Sequence, residues 1–204
     1  MAPVRVKICG VTSLDDARAA VDAGAEALGF NFSTPSPRYI SPAVAAQISS
    51  HLPPAVCRIG VFVNATREEV AAVARQARLT ALQFHGDESP EFCRGWAYKT
   101  LKALRVRDAR AAHEAARYAV DFILVDAYVE GQPGGTGTRI APALLTGFDR
   151  TRLVLAGGLT PDTVAEAVRA VRPFGVDVAS GVERAPGRKD AALMKRFVAN
   201  AHAA

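Results

Sequence analysis

Short apolar runs alternate along the chain with segments in which apolar residues recur at helical spacing. The runs are rich in Val, Ile, Leu and Phe, and they predict eight strands, over residues 4–9, 27–32, 57–63, 81–85, 99–105, 120–126, 152–156 and 175–179. After the first run, Leu14, Ala17 and Val21 share one face of a helix. Thr66 and Gly24 are typical of the start and the end of such helices. The pattern predicts eight strands, each followed by a helical segment.

Two architectures are typical of this alternation, a closed (β/α)8 barrel and an open doubly wound sheet. The open sheet is disfavoured because no G-x-G-x-x-G motif follows the first strand, where the chain reads KICGVTS. Eight units in 204 residues leave about 25 residues for each unit, which is tight for a fold that commonly takes ~250 residues. We nevertheless predict a single, compact (β/α)8 barrel domain over residues 1–204, because the composition shows no break or linker.

The alternation within each strand predicts which side chains point into the barrel. In the first strand Val6 and Ile8 belong to the apolar face that packs against helices, so Lys7 and Cys9 should point inward. The same argument places four further polar residues inside the barrel: Gln83, His85, Asp126 and Asp177. Barrel interiors are normally filled by branched apolar side chains.

Buried polar side chains are costly unless they are paired, and they often mark a functional site. One interpretation is a structural ion pair, for example between Lys7 and Asp177. The other is a catalytic site, and the convergence of Cys9, Asp126 and His85 on the carboxyl ends of their strands favours it.

Glycine-bearing turns follow the last two predicted strands. Gly157 and Gly158 follow the seventh strand, and Ser180 and Gly181 follow the eighth. Such turns let backbone N–H groups approach an anion, and this is where barrels commonly bind phosphate. Two longer loops, after the second and sixth strands (33–41 and 131–137), have the composition of flaps over the same end.

Composition excludes several classes of protein. No stretch approaches the ~18 uncharged apolar residues of a membrane span, and the amino terminus does not resemble a secretory leader. Cys9, Cys57 and Cys93 lack metal-type spacing and are expected to be thiols in a reducing compartment. The net charge of +5 is spread, without stacking aromatics, so an anionic small molecule is a better expected ligand than nucleic acid.

Eight short motifs occur in order from residue 7 to about residue 190: KICG, SPRY, GVFVN, QFHG, LVDA, GGTG, AGGL and VDVASGVE. With these motifs the chain resembles the phosphoribosylanthranilate isomerase family of tryptophan biosynthesis. The resemblance implies a (β/α)8 fold, a cofactor-free Amadori rearrangement, a small phosphosugar substrate and a cytoplasmic location. It leaves open whether the protein is a monomer or a homodimer.

The resemblance also implies roles for particular residues. The cysteine of KICG and the aspartate of LVDA correspond to a general base, Cys9, and a general acid, Asp126. We expect the pKa of the Cys9 thiol to be lowered, with help from Lys7, and the pKa of Asp126 to be raised by burial or by the substrate's charge. Arg38, in SPRY, is expected to bind the anthranilate carboxylate as a guanidinium fork.

The remaining positions of the resemblance concern substrate binding. The phosphate is expected at Gly158, Ser180 and Gly181. Lining or contact roles are expected for four further residues: Lys7, His85, Gly135 and Asp177. The loop after GGTG departs from the family pattern, because Thr138-Arg139-Ile140 stands where relatives often carry a lysine and an FDW-like stretch.

Three other functions compete with this one. A related isomerase of histidine biosynthesis performs the same rearrangement on a bis-phosphate, but it resembles a duplicated half-barrel with aspartates in both catalytic places. A non-catalytic phosphosugar-binding barrel would need neither Cys9 nor Asp126. A nucleic-acid-binding module would need stacking aromatics, and the chain has a single Trp.

Overall fold

The computed structural model describes residues 3–106, 108, 110–127 and 142–204, and the parallel sheet within them is a closed barrel. Its strands run in chain order: β1 (Arg5–Cys9), β2 (Ala27–Asn31), β3 (Cys57–Phe62), β4 (Ala81–Phe84), β5 (Lys99–Val106), β6 (Phe122–Ala127), β7 (Leu153–Leu155) and β8 (Gly175–Val178). Each strand pairs in parallel with the next, and β8 pairs with β1. The predicted barrel is confirmed, and the open sheet is excluded.

The α-helices of the described residues lie between the strands and after β8. They are α1 (Leu14–Asp22), α2 (Pro42–Ser50), α3 (Arg67–Gln76), α4 (Ala111–Ala116), α5 (Val164–Val171) and α6 (Ala191–His202). Thr66 begins α3, as predicted, and the structure adds a capping box with Glu69. A short 3-10 helix, Pro142–Leu145, precedes β7, and a hairpin of β9 (Glu183–Ala185) and β10 (Arg188–Lys189) precedes α6. The sequence pattern did not predict this hairpin.

The expectation of a helix after every strand is wrong for β4. Residues 85–98 form only turns, in a segment that contains Pro90 and Gly95. An aromatic cluster covers the strand instead, because the rings of Phe92 and Trp96 lie 5.4 and 5.7 Å from the ring of Phe84. Packing of aromatic rings therefore replaces the apolar face of a helix at this place.

The barrel has two apolar layers, as the alternation within strands predicts. The outer layer, between sheet and helices, includes Val6 and Ile8. The inner layer is a separate cluster that includes Ala103, Leu124 and Val154. The inner apolar cluster does not include the polar residues predicted to point inward, which lie nearer the carboxyl ends of their strands.

A buried ion pair ties the turn after β4 to β5. Lys102 is 2% exposed, and its Nζ donates to Glu88 Oε2 at 2.8 Å and to the carbonyl oxygen of Gly86 at 2.6 Å. The backbone N–H of Asn64 donates to Glu88 Oε1 at 2.9 Å. Every charge in this group has a partner, which is the condition under which a buried pair is tolerated.

Replacing Lys102 leaves the Glu88 carboxylate buried without its cation, so we expect Lys102→Met to lower the free energy of unfolding by about 3–5 kcal/mol in urea titrations. Lys99→Met is the matched control from the same strand. Lys99 pairs with Asp121 at 2.6 Å, but its side chain is 71% exposed, so the loss should stay below about 1 kcal/mol. Equal losses of unfolding free energy in the two variants would contradict the prediction that the buried Lys102–Glu88 pair contributes more than the exposed Lys99–Asp121 pair.

Candidate active site

The polar interior begins at the seam where β8 closes onto β1. Lys7 and Asp177 are paired in register across this seam, and Lys7 Nζ lies 2.9 Å from Asp177 Oδ1. Both side chains are buried. Burial alone would lower the pKa of Lys7, but attraction to Asp177 and Cys9 outweighs it, so the net shift is upward. The ion pair that the sequence suggested as one interpretation therefore exists, and it lies beside Cys9.

A glycine of β2 makes room for these side chains. Gly29 is opposite Cys9 in register. A Cβ at Gly29 would lie 2.9 Å from Cys9 Sγ and 3.1 Å from Lys7 Cε. At these distances the side chains of Cys9 and Lys7 could not keep their present positions. Sequence reasoning missed Gly29, although a glycine within a strand pattern is a signal of close approach.

The expected lowering of the Cys9 pKa is wrong for the protein without substrate. Burial raises the pKa of the thiol, and the nearby charge of Asp177 adds to that rise. The positive charges of Lys7 and Lys189 act in the opposite direction but do not outweigh burial. With its pKa raised, the Cys9 side chain is a thiol at neutral pH.

Asp126 lies near the carboxyl end of β6 and is buried. Its backbone is paired in register with Arg105 of β5. Since β8 and β7 separate β1 from β6 in the closed barrel, Cys9 and Asp126 occupy separated positions on one rim. A raised pKa of Asp126 stays a prediction.

His85 directly follows β4 at the same rim, where its Nδ1 lies 2.8 Å from Gln83 Nε2. Burial and the positive charge of Lys7 lower the pKa of His85 to about 4. The imidazole is therefore neutral at physiological pH. With the Gln83 amide N–H donating to Nδ1, the ring proton is on Nε2.

The turns after β7 and β8 are in close contact, as a shared phosphate site requires. Gly157 and Gly158 have φ of 82° and 63°, a region that favours glycine. A Cβ at Gly181 would collide with the carbonyl oxygen of Leu159. Ser180 begins a 3-10 turn there. The structure thus brings together the three predicted phosphate positions, whereas Gly135 and the loop 131–137 lie outside the described residues.

Arg38 lies in the loop after β2, but its guanidinium already binds a carboxylate of the protein. Nε and Nη2 donate to Glu183 Oε1 and Oε2 at 2.8 and 2.7 Å. Burial alone would raise the pKa of Glu183, yet the hydrogen bonds from Arg38 and Lys189 make the net shift downward. The pairing keeps Arg38 at the rim beside the β8 turn.

Glu183 and Lys189 were not predicted as site residues. Glu183 stands inside the motif SGVE, so its position was visible but its role was not. Lys189 stands in a charged stretch, GRKD, that is typical of an exposed turn, yet its side chain is 0% exposed. No local pattern distinguishes it from a surface lysine.

A cavity of about 550 Å³ opens beside this rim, above β4 and β5. Its lining includes Asn64, His85, Lys102 and Arg105. Among the described residues, no cluster of three or more His, Cys, Asp or Glu side chains could hold a metal ion. No helix within the part of the chain that the structure describes is long and apolar enough to cross a membrane.

Comparison with known proteins gives a consistent result. The family model for N-(5'phosphoribosyl)anthranilate (PRA) isomerase matches residues 6–200. An N-(5'-phosphoribosyl)anthranilate isomerase of Trichlorobacter lovleyi is 50% identical over 202 residues, covering 97% of this chain and 98% of the relative.

Two solved structures show the same fold and family. Phosphoribosyl anthranilate isomerase from Thermotoga maritima has a TM-score of 0.91 and 43% identity, covering 98% of this chain and 100% of the other. A phosphoribosyl anthranilate isomerase in complex with reduced 1-(o-carboxyphenylamino)-1-deoxyribulose 5-phosphate has a TM-score of 0.87, 43% identity and the same coverage. The chain therefore belongs to the N-(5'-phosphoribosyl)anthranilate isomerase family, the aldose–ketose isomerases of tryptophan biosynthesis.

Proposed function

We propose that this chain rearranges N-(5'-phosphoribosyl)anthranilate to 1-(o-carboxyphenylamino)-1-deoxyribulose 5-phosphate, with Cys9 as general base and Asp126 as general acid. One observation supports these roles above the others. A thiol and a buried carboxyl group lie on the same rim of a closed barrel, on strands separated by β7 and β8. Such a separation suits an acid and a base that act on different atoms of one sugar.

The proposed reaction uses the two groups in sequence. Asp126 donates a proton to the ribose ring oxygen, and the ring opens to an iminium ion. Cys9, as thiolate, removes the proton from C2′, and the resulting enolamine tautomerises to the ketone. Because the pKa of Cys9 is raised in the free protein, the thiol must first release its proton to solvent, and of the nearby positive charges that of Lys7 acts most strongly to lower this pKa.

The remaining site residues bind or line the substrate in this proposal. The phosphate lies at the contacting turns of Gly158, Ser180 and Gly181, and the anthranilate carboxylate binds Arg38. Asp177 and His85 line the sugar, Lys7 supplies positive charge, and Gly135 belongs to the loop over the site. The Lys7–Asp177 pair supports an orienting role, since both charges already satisfy each other.

The setting of the reaction follows from the same proposal. We place the enzyme in the cytoplasm, where it acts on a small phosphosugar and not on nucleic acid. We propose that residues 1–204 form one domain. The enzyme is either a monomer or a homodimer in this proposal.

Cys9→Ser and Asp126→Asn should each lower kcat by several orders of magnitude and leave substrate affinity nearly unchanged. Serine is a far weaker base than a thiolate, and an amide cannot protonate the ring oxygen. The fluorescence change that accompanies consumption of phosphoribosylanthranilate measures turnover, and equilibrium titration with a reduced product analogue measures affinity. Near-normal turnover by either variant would exclude the proposed role of that residue.

The pH dependence of kcat/KM distinguishes a lining role of His85 from a catalytic one. A histidine whose pKa is lowered to about 4 has already lost its proton at any higher pH, so it should not titrate in the working range. His85→Gln is therefore expected to leave the shape of the profile between about pH 5.5 and 8 unchanged. An acid limb near pH 6.5 that disappears in His85→Gln would contradict the neutral imidazole.

A further inference from the structure

The Lys189 ammonium group bridges the ends of the two strands that close the barrel. Its Nζ donates to the carbonyl oxygens of Cys9 and Ala179 at 2.5 and 3.1 Å, and to Glu183 Oε1 at 2.8 Å. An ammonium group has three N–H donors, and each of them has an acceptor here. A lysine is rarely buried to this degree unless it is fully paired. These three acceptors compensate for the burial of the Lys189 charge.

The carboxylate of Glu183 connects Lys189 to Arg38. Its Oε1 accepts from both Lys189 Nζ and Arg38 Nε, and its Oε2 accepts from Arg38 Nη2. The side chain of Glu183 is itself buried, with 5% of it exposed. The orientation of Arg38 therefore depends on a carboxylate whose own position depends on Lys189.

Among the described residues, the side-chain hydrogen bonds of Arg38 use only one edge of its guanidinium. A guanidinium has five N–H donors arranged as two forks in one plane. Glu183 binds the fork formed by Nε and Nη2. The other fork, formed by Nη1 and the second N–H of Nη2, is oriented by the first contact and can bind a second carboxylate in the same plane.

The segment that contains Lys189 is fastened to the start of the barrel. The hydroxyl of Thr12 donates to the carbonyl oxygen of Gly187 at 2.7 Å. The backbone N–H of Lys189 donates to Asp16 Oδ2 at 3.2 Å, so β10 is tied to α1. These contacts fix the backbone from which the ammonium group extends.

We propose that Lys189 is a positioning residue of the active site, which acts through Glu183 to present the free fork of Arg38 to the substrate carboxylate and through the Cys9 carbonyl to fix the end of β1. This inference rests on the proposed function, because it requires that Arg38 bind the anthranilate group. In this proposal Lys189 contacts neither the substrate nor the reacting atoms, because its three N–H groups are used by Cys9 O, Ala179 O and Glu183 Oε1.

A double-mutant cycle in steady-state kinetics tests the inference. Lys189→Met should raise KM by about tenfold to a hundredfold, because a displaced guanidinium loses its fork geometry. In an Arg38→Ala background the same substitution should raise KM by less than about twofold, since the route to the substrate is already lost. If Lys189→Met also lowers kcat, by displacing Cys9 at the end of β1, that fall in kcat should be the same in the Arg38→Ala background.

Two variants separate positioning from folding. Glu183→Gln should raise KM as Lys189→Met does, and it provides the test if Lys189→Met fails to fold. The double variant Lys189→Met/Glu183→Gln removes both buried charges, so its Tm should recover toward that of the unaltered enzyme while KM stays raised. Lys102→Met is the matched control. It disrupts an equally buried lysine–glutamate pair, and its effect on KM should be the same with and without Arg38.

Several outcomes would overturn the inference. An effect of Lys189→Met on KM that is equal in both backgrounds would show that the residue does not act through Arg38. Recovery of KM together with Tm in the double variant would show a structural role only. Failure of the proposed function has a different signature: the unaltered enzyme would not consume phosphoribosylanthranilate, or Arg38→Ala alone would leave KM unchanged.

Discussion

Closure of the sheet between β8 and β1 is the constraint on which the rest of the site depends. It joins residues 170 positions apart in the chain, and the register that closes it places Lys7 opposite Asp177. The ion pair fills part of the barrel interior with two charges that satisfy each other. Cys9 ends the strand on one side of this seam, Ser180 begins the turn on the other, and Lys189 bridges both above it. A barrel that did not close would separate Cys9, the proposed base, from Ser180 in the proposed phosphate-binding turn.

Three cations of the rim are paired with two carboxylates of the protein. Lys7 pairs with Asp177, while Arg38 and Lys189 share Glu183. Burial is the main cause of the raised pKa of Cys9, and the charge of Asp177 adds to it, so the positive charges of Lys7 and Lys189 do not lower this pKa overall. In the proposed function, recognition of the anionic substrate therefore depends on how these paired cations are oriented as well as on their charge.

The sequence predicted the barrel well, because strand alternation reports burial directly. The observed strands agree with the predicted ones within about two residues at each end. The inward positions of Lys7 and Asp177 followed from the same alternation. The turn after β4 was predicted wrongly, since the aromatic cluster of Phe84, Phe92 and Trp96 is a tertiary arrangement without helical periodicity.

Partners far apart in the chain could not be predicted. Arg38 and Glu183 are separated by 145 positions, and Cys9 and Lys189 by 180. Nothing local in GRKD indicates that one lysine is buried while the preceding arginine, Arg188, is exposed. A motif match identified Arg38 and Cys9, but only the structure shows which groups orient them.

The proposed mechanism depends on removal of the C2′ proton by Cys9, and single-turnover conversion of substrate deuterated at C2′ measures this step. We predict that the unaltered enzyme converts the deuterated substrate more slowly than the ordinary one, and that Cys9→Ser converts neither at a comparable rate. Conversion by Cys9→Ser at the rate of the unaltered enzyme, with the same isotope effect, would show that another group removes the proton.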